Sequence, residues 1–157
     1  MSEMSFWQKF IRLGQRILGL LTRPMTLGVR IIALDAEGRV FLVRHTYAPG
    51  FYLPGGGVES GETAVVSLER ELAEEGGLEL TEPPRLIGFY YNPRHSRRDH
   101  VVLYLARNVR QAKIRAPDWE IAEGGFFALD ALPAEATDST RARLQEFLLS
   151  APPDPLW

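Results

Sequence analysis

Residues 56–78 read GGVESGETAVVSLERELAEEGGL, and that stretch decides what kind of chain this is. A glycine-rich loop, Gly55-Gly56-Gly57, leads into it, and Gly76-Gly77 lead out. Between them lies a helix-length segment in which Glu69, Glu71, Glu74 and Glu75 share the sequence with a single base, Arg70. Surface helices usually set Glu against Lys four residues on, because like charges at that spacing repel. The excess negative charge here needs a neutralising group from outside the helix, and a divalent cation is the natural one. Glu71, Glu74 and Glu75 stand at i, i+3 and i+4, so a helix directs them toward one patch. Ser67 and Ala64 continue that face and are small, which leaves room for a ligand. Val65, Leu68 and Leu72 form an apolar stripe expected to face the core, with Glu75 closest to it. Carboxylates at the margin of a core suit Mg²⁺ or Mn²⁺, which prefer hard oxygen ligands and keep waters that a substrate can displace.

The same residues resemble the Nudix box, G-x5-E-x7-R-E-U-x-E-E-x-G-U with U aliphatic. Gly56, Glu62, Arg70, Glu71, Leu72, Glu74, Glu75, Gly77 and Leu78 fill its nine fixed positions. The flanks FYLPGGGVE (51–59) and FFALDALP (126–133) are also similar to Nudix-domain sequence, and the resemblance runs from about Met25 into the C-terminal helix. It implies an α/β fold, the Nudix α/β/α sandwich, with a mixed β-sheet, the box helix and a C-terminal helix. It also implies divalent-metal-dependent hydrolysis of a pyrophosphate bond in a nucleoside diphosphate linked to another moiety. On that footing Glu71, Glu74 and Glu75 are the catalytic and metal-binding residues for Mg²⁺ or Mn²⁺, and one of them also accepts the proton of the attacking water. Arg70 is structural, pairing with Glu62 or Glu74. Gly56, Glu62, Arg70 and Gly77 complete the structural positions of the box. A second reading stays open, a non-catalytic Nudix-fold nucleotide-binding or sensor module, because fold alone does not establish activity. Non-catalytic members usually lose box carboxylates, and this chain keeps all of them.

A chain of 157 residues is expected to form one domain with a substantial core. Its 45% hydrophobic and 24% charged residues are those of a globular protein, and a net charge of −2 gives no broad basic surface for nucleic acid. There is no Cys, which excludes disulfides and thiolate chemistry. Residues 17–21, Ile-Leu-Gly-Leu-Leu, are too short an apolar run for a signal peptide or a membrane span, so a cytoplasmic location is expected. Residues 6–21 read instead as an amphipathic helix, with Phe6, Phe10, Leu13, Ile17 and Leu20 on one side and Lys9, Arg12 and Arg16 on the other. Docking on its own domain, on a second subunit in a homodimer, or on a membrane surface all suit such a helix. The expected division is thus an extension over 1–24, a domain over 25–151 and an irregular tail over 152–157.

Strand patterns cover Thr26–Leu34 and Arg39–His45, joined by a hairpin-like turn at Asp35–Gly38, then Arg85–Tyr91, His100–Ala106 and Ile121–Ala128. A final helix is expected over Ser139–Ser150. Family members often recruit an acid from outside the box. Glu120 and Glu123 are the candidates, and since they face opposite ways along a strand, one at most reaches the metal, with Glu120 preferred. For substrate phosphates, the loop arginines Arg97 and Arg98 and the strand-end pair Arg44 and His45 offer suitable donors. Tyr47, Tyr52, Tyr90, Tyr91 and Trp119 are candidates for stacking on a base, with Tyr90 included in the binding set. Pro93, in the segment GFYYNP, resembles a proline that ADP-ribose-hydrolysing members often carry; the neighbouring tyrosines resemble a marker of dinucleoside polyphosphate hydrolysis. ADP-ribose or a similar nucleotide-sugar is the substrate the resemblance favours.

Overall fold

The computed structural model describes residues 24–157, together with Ile11, Gly14, Gln15, Ile17, Leu18 and Gly19. Most of the expected N-terminal amphipathic helix therefore lies outside the described residues; the six described positions are helical, with Ile11, Ile17 and Leu18 exposed. No helix among the described residues is long and apolar enough to cross a membrane.

Seven strands and two helices follow in chain order: β1 (Thr26–Ala33), β2 (Val40–His45), α1 (Ala64–Gly76), β3 (Leu78–Glu79), β4 (Arg85–Tyr91), β5 (Asp99–Ala106), β6 (Arg110–Gln111), β7 (Ile121–Phe127) and α2 (Asp138–Leu149). β5 is the centre of a mixed sheet, parallel to β1 and antiparallel to β4. β2 pairs with β7 in a separate antiparallel ladder, and the short β3 and β6 form a third. The hairpin signature at Asp35–Gly38 accordingly marks a corner. Asp35 takes the Glu37 and Arg39 amides and the Arg39 side chain, and Gly38 adopts φ 76°, but β1 and β2 share only the Leu34–Val40 bridge before entering different ladders.

The long apolar runs in β1 and β2 follow from burial on both faces. Val29, Ile31 and Ala33 join Phe41 and Val43 in one core cluster with Leu68 and Leu72 of α1. The alternate residues Ile32 and Leu34 join Val40 and Leu42 in a second cluster with Leu144 of α2. Two helices thus cover opposite sides of the strands, each supplied by one parity of the period-2 pattern. α1 begins where Thr63 caps the Val66 amide and ends at Gly77, whose φ of 61° is left-handed. α2 begins a residue before the expected Ser139, because Thr137 supplies the cap, accepting from the Thr140 amide. The tail is irregular, as its prolines predict, yet it is pinned to β4. The Tyr91 amide donates to Pro155 O at 2.9 Å and the Trp157 amide to Tyr91 O at 2.9 Å.

Candidate functional site

The glycine-rich loop lies between the start of β1 and the inner face of α1. Val29 N donates to Gly56 O at 2.8 Å, and Val58 N to Leu27 O at 2.8 Å, so the loop is bound to β1 as an added strand segment. At Gly55, φ is +139° and a Cβ would fall 2.0 Å from Val29 O; only glycine fits there. Its amide donates to Glu75 Oε2 at 2.7 Å, joining loop and helix at a buried point. At Gly56 a Cβ would meet a Glu71 carboxylate oxygen at 2.3 Å. The loop and Glu71 together form a cradle that a side chain at 56 would fill.

Glu71 and Glu75 both line a cavity of about 450 Å³, shared with Thr26, Arg30, His45, Tyr47 and Glu120 among others. Glu75 is 4% exposed, and burial pushes its carboxyl up to about 7, reinforced by Glu71 and Glu120 and opposed by Arg30 and the Gly55 amide. Burial also raises Glu71, against the pull of Arg70. His45 Nε2 lies 3.4 Å from Glu75 Oε1, while its Nδ1 is buried without a hydrogen-bond partner. Burial and the nearby Arg30 charge lower the His45 pKa, which favours the neutral imidazole, and Tyr47 stacks on it at 5.0 Å. Glu120 lines the same cavity, whereas Glu123 is exposed and paired with Arg44 at 2.6 Å.

Arg70 ties the box together from the solvent side. It donates to Glu71 at 2.7 Å, Glu62 at 3.0 Å, Glu74 at 3.5 Å, Gly57 O at 3.3 Å and Ser67 Oγ at 3.3 Å. Glu62 also caps the Glu59 amide, and that bond with Arg70 holds its pKa below the usual value. Gly77 closes α1 where a Cβ would lie 1.9 Å from Lys113 O.

Several expected positions fall elsewhere. Glu74 does not converge with Glu71 and Glu75; its side chain is 59% exposed and meets Arg70. Consecutive helical residues are about 100° apart, so burying Glu75 under the cleft turns Glu74 to the rim. Arg44 sits beside Glu123 and over the Phe51 ring, outside the cavity. Arg97 and Arg98 are exposed and do not line it either, because the 92–99 turn, closed by Asn92 N to Asp99 O at 2.9 Å, points them outward. Tyr90 is 1% exposed and packs in the α2-side core, donating to Glu146 at 2.9 Å, and it does not line the carboxylate cavity. Trp119 is 82% exposed and outside the cavity.

The structure adds residues that the sequence pattern did not single out. Arg30 donates from Nη1 to Gly55 O at 2.5 Å and Leu53 O at 3.1 Å, and forms no ion pair among the described residues. Its charge faces the cleft within electrostatic reach of Glu71 and Glu75, without a direct ion pair to either. A lone Arg inside the apolar run LGVRIIAL was the available signal. Arg30, Asn92, His95 and Trp157 also line an adjoining cavity of about 630 Å³, with Tyr52, Arg94, Thr137 and Ser139. The cleft is thus two-lobed, with Arg30 at the junction.

The donor chemistry fits a hard divalent cation. The groups are carboxylate oxygens, one of them buried where an unneutralised charge is unfavourable, and the glycine cradle keeps the space beside them open. Among the described residues, no three His, Asp or Glu side chains are already drawn together as a metal cage.

Comparison with known proteins supports the same assignment. A sequence model of the NUDIX domain matches residues 24–147. The chain is 33% identical over 109 residues to the ADP-ribose pyrophosphatase of Methanocaldococcus jannaschii, covering 67% of this chain and 63% of that protein. It therefore spans less than two thirds of the length of that curated relative. The MutT NUDIX hydrolase from Burkholderia pseudomallei superposes with a TM-score of 0.64 at 28% identity, covering 76% of this chain and 95% of that one. A NUDIX hydrolase from Nitrosomonas europaea shares the fold with a TM-score of 0.66 at 20% identity, covering 85% and 96%.

Proposed function

Because the chain belongs to the Nudix family and folds as its α/β/α sandwich, we propose that it hydrolyses the diphosphate bond of a nucleoside diphosphate linked to a second group, with Mg²⁺ or Mn²⁺. The observation that carries this reading is the pair of sequestered carboxylates, Glu71 and Glu75, placed with Glu120 around one cavity and accompanied by the unpaired guanidinium of Arg30. Glu71, Glu75 and Glu120 would hold the cation, and Glu74 would add a carboxylate from the rim. A cation held there would supply Lewis-acid chemistry, offsetting charge on the phosphoryl oxygens and making water a better nucleophile. Arg30 takes a phosphate oxygen by charge-assisted hydrogen bonds from the nitrogens that the Leu53 and Gly55 carbonyls leave unused. His45, neutral and beside Glu75, positions that carboxylate without competing with it for charge.

Water adds to one phosphorus, the bridging P–O bond breaks, and two phosphate monoesters leave. ADP-ribose would give AMP and ribose 5-phosphate. Two lobes meeting at Arg30 suit a substrate with a group on each side of its diphosphate better than one extending in a single direction. Each lobe is within the size range of small-molecule sites, roughly 300–1,000 Å³. The likeness to the Methanocaldococcus ADP-ribose pyrophosphatase supports ADP-ribose as the first substrate to try.

The test is a panel of ADP-ribose, nucleotide-sugars and nucleoside triphosphates, scored by product identification with Mg²⁺ and with EDTA. The expected result is turnover of at least one two-sided diphosphate that EDTA abolishes. Saturable binding without any product would replace this reading by the nucleotide-sensing module.

A further inference from the structure

The tail of the chain reaches the cleft. Residues 154–157 run beside Tyr91 of β4, with Leu156 in a parallel bridge to it. Arg143 of α2, 4% exposed, donates to Leu156 O at 2.7 Å and to Glu146 at 2.8 Å. Glu146 in turn accepts the Asp154 amide at 3.0 Å and the Tyr90 hydroxyl at 2.9 Å. This network fixes Trp157 with its ring edge-on to Tyr90 at 5.4 Å and 5.5 Å from the Arg143 guanidinium. Trp157 remains partly exposed, and it lines both lobes of the cleft. Such a buried ion pair is a large investment to hold four irregular residues. Its effect is to place one indole at the partition between the carboxylates and the second lobe.

We propose that Trp157 is a specificity-determining residue, forming the wall on which the nucleobase of the substrate stacks in the second lobe. Trp157 and Tyr52 are the aromatic surfaces of a lobe otherwise lined mainly by polar side chains, Arg94, Asn92, Asp138 and Ser139 among them. Arg94 forms no ion pair among the described residues and is open to a ligand. A planar aromatic base gains from a large aromatic face to stack on and from polar side chains that reach its edge, and Trp157 supplies the face while Asn92, Arg94 and Asp138 supply edge partners. The inference rests on the proposed function only in assigning a nucleoside to this lobe, and binding is measured separately from hydrolysis.

With Trp7 and Trp119 replaced by Phe, Trp157 becomes the sole indole. Titration with AMP in EDTA should quench its fluorescence saturably, and ribose 5-phosphate should not. By calorimetry, Trp157→Leu should weaken AMP binding at least about five-fold, the low end of what base–aromatic stacking provides. Trp157→Phe should retain most of the affinity. Leu keeps apolar packing against Tyr90, so an unchanged melting temperature separates lost stacking from lost fold. Absence of quenching by AMP, quenching by ribose 5-phosphate alone, or wild-type AMP affinity in the Leu variant would each overturn the proposal. AMP quenching in a protein that hydrolyses nothing would uphold it and defeat the enzymatic reading instead.

Discussion

Replacing Glu75 by Gln should make the metal-free protein more stable at neutral pH while removing its response to Mg²⁺. Glu75 is 4% exposed and its carboxyl is raised to about 7 from a usual 4.5, chiefly by burial. Between those values the folded state holds a proton that the unfolded chain releases, so folding stability falls as pH rises from about 4.5 through about 7. A tenfold change in proton affinity is worth about 1.4 kcal/mol, so the buried anion costs about 3 kcal/mol above pH 8. Gln keeps the shape and can still accept the Gly55 amide, but carries no charge. In EDTA at pH 8 the variant should melt about 6–12 °C above wild type, and the gap should close as pH falls below 5. His45 acts in the opposite sense below 6.5, because the unfolded imidazole charges there while the folded one stays neutral. At pH 8 the imidazole is neutral in both the folded and the unfolded chain, so the comparison made there isolates Glu75. Saturating Mg²⁺ should raise wild type at pH 8 and leave the variant unmoved. A variant less stable than wild type in EDTA at pH 8 would refute the reasoning, since it would mean that the Glu75 charge is already compensated.

Arg30→Ala should lower kcat/KM about ten- to hundred-fold, the loss of a charge-assisted hydrogen bond worth roughly 1.5–3 kcal/mol, with Lys restoring only part of it. Arg97→Ala, Arg98→Ala and Arg44→Ala should stay near wild type in the same kinetic comparison, and equal losses at all four positions would contradict the placement of Arg30. Gly77→Ala should destabilise the fold by at least about 2 kcal/mol in urea titration, because it combines a left-handed φ of 61° with a Cβ 1.9 Å from Lys113 O. A wild-type midpoint would show that the turn after α1 relaxes freely.

The parts of this fold legible from sequence are those set by local chemistry. The helix α1 and its end followed from its apolar stripe and Gly77, while its start at the Thr63 cap was not singled out, and the strands followed from apolar runs whose alternate residues proved to serve opposite helices. Glu71 and Glu75 share one helical face and reach the cleft together, while the 100° step between neighbours carried Glu74 away. What stayed hidden depends on contacts distant in sequence. The Asp35–Gly38 turn has every local mark of a hairpin, but the pairing of β1 with β5 and β2 with β7 was decided elsewhere in the chain. The arginines at 97 and 98 resemble a phosphate clamp until the 92–99 turn fixes their direction, leaving His95 on the cleft. Arg30 reads as an oddity within an apolar strand, and nothing local reveals that the Leu53 and Gly55 carbonyls aim it at the site. Trp157 is further still from view, since a proline-rich tail carries no signal for the strand edge it joins.

The most direct test of the central claim, that Glu71, Glu75 and Glu120 make this cleft a cation-dependent hydrolytic site, is a Mg²⁺ titration of turnover on the best substrate of the panel. Wild type should show no product in EDTA and saturable activation by Mg²⁺. Glu75→Gln, folded and at least as stable, should lose at least about 10²-fold in kcat at every Mg²⁺ concentration. Full turnover in EDTA, or wild-type kcat in Glu75→Gln, would contradict the account.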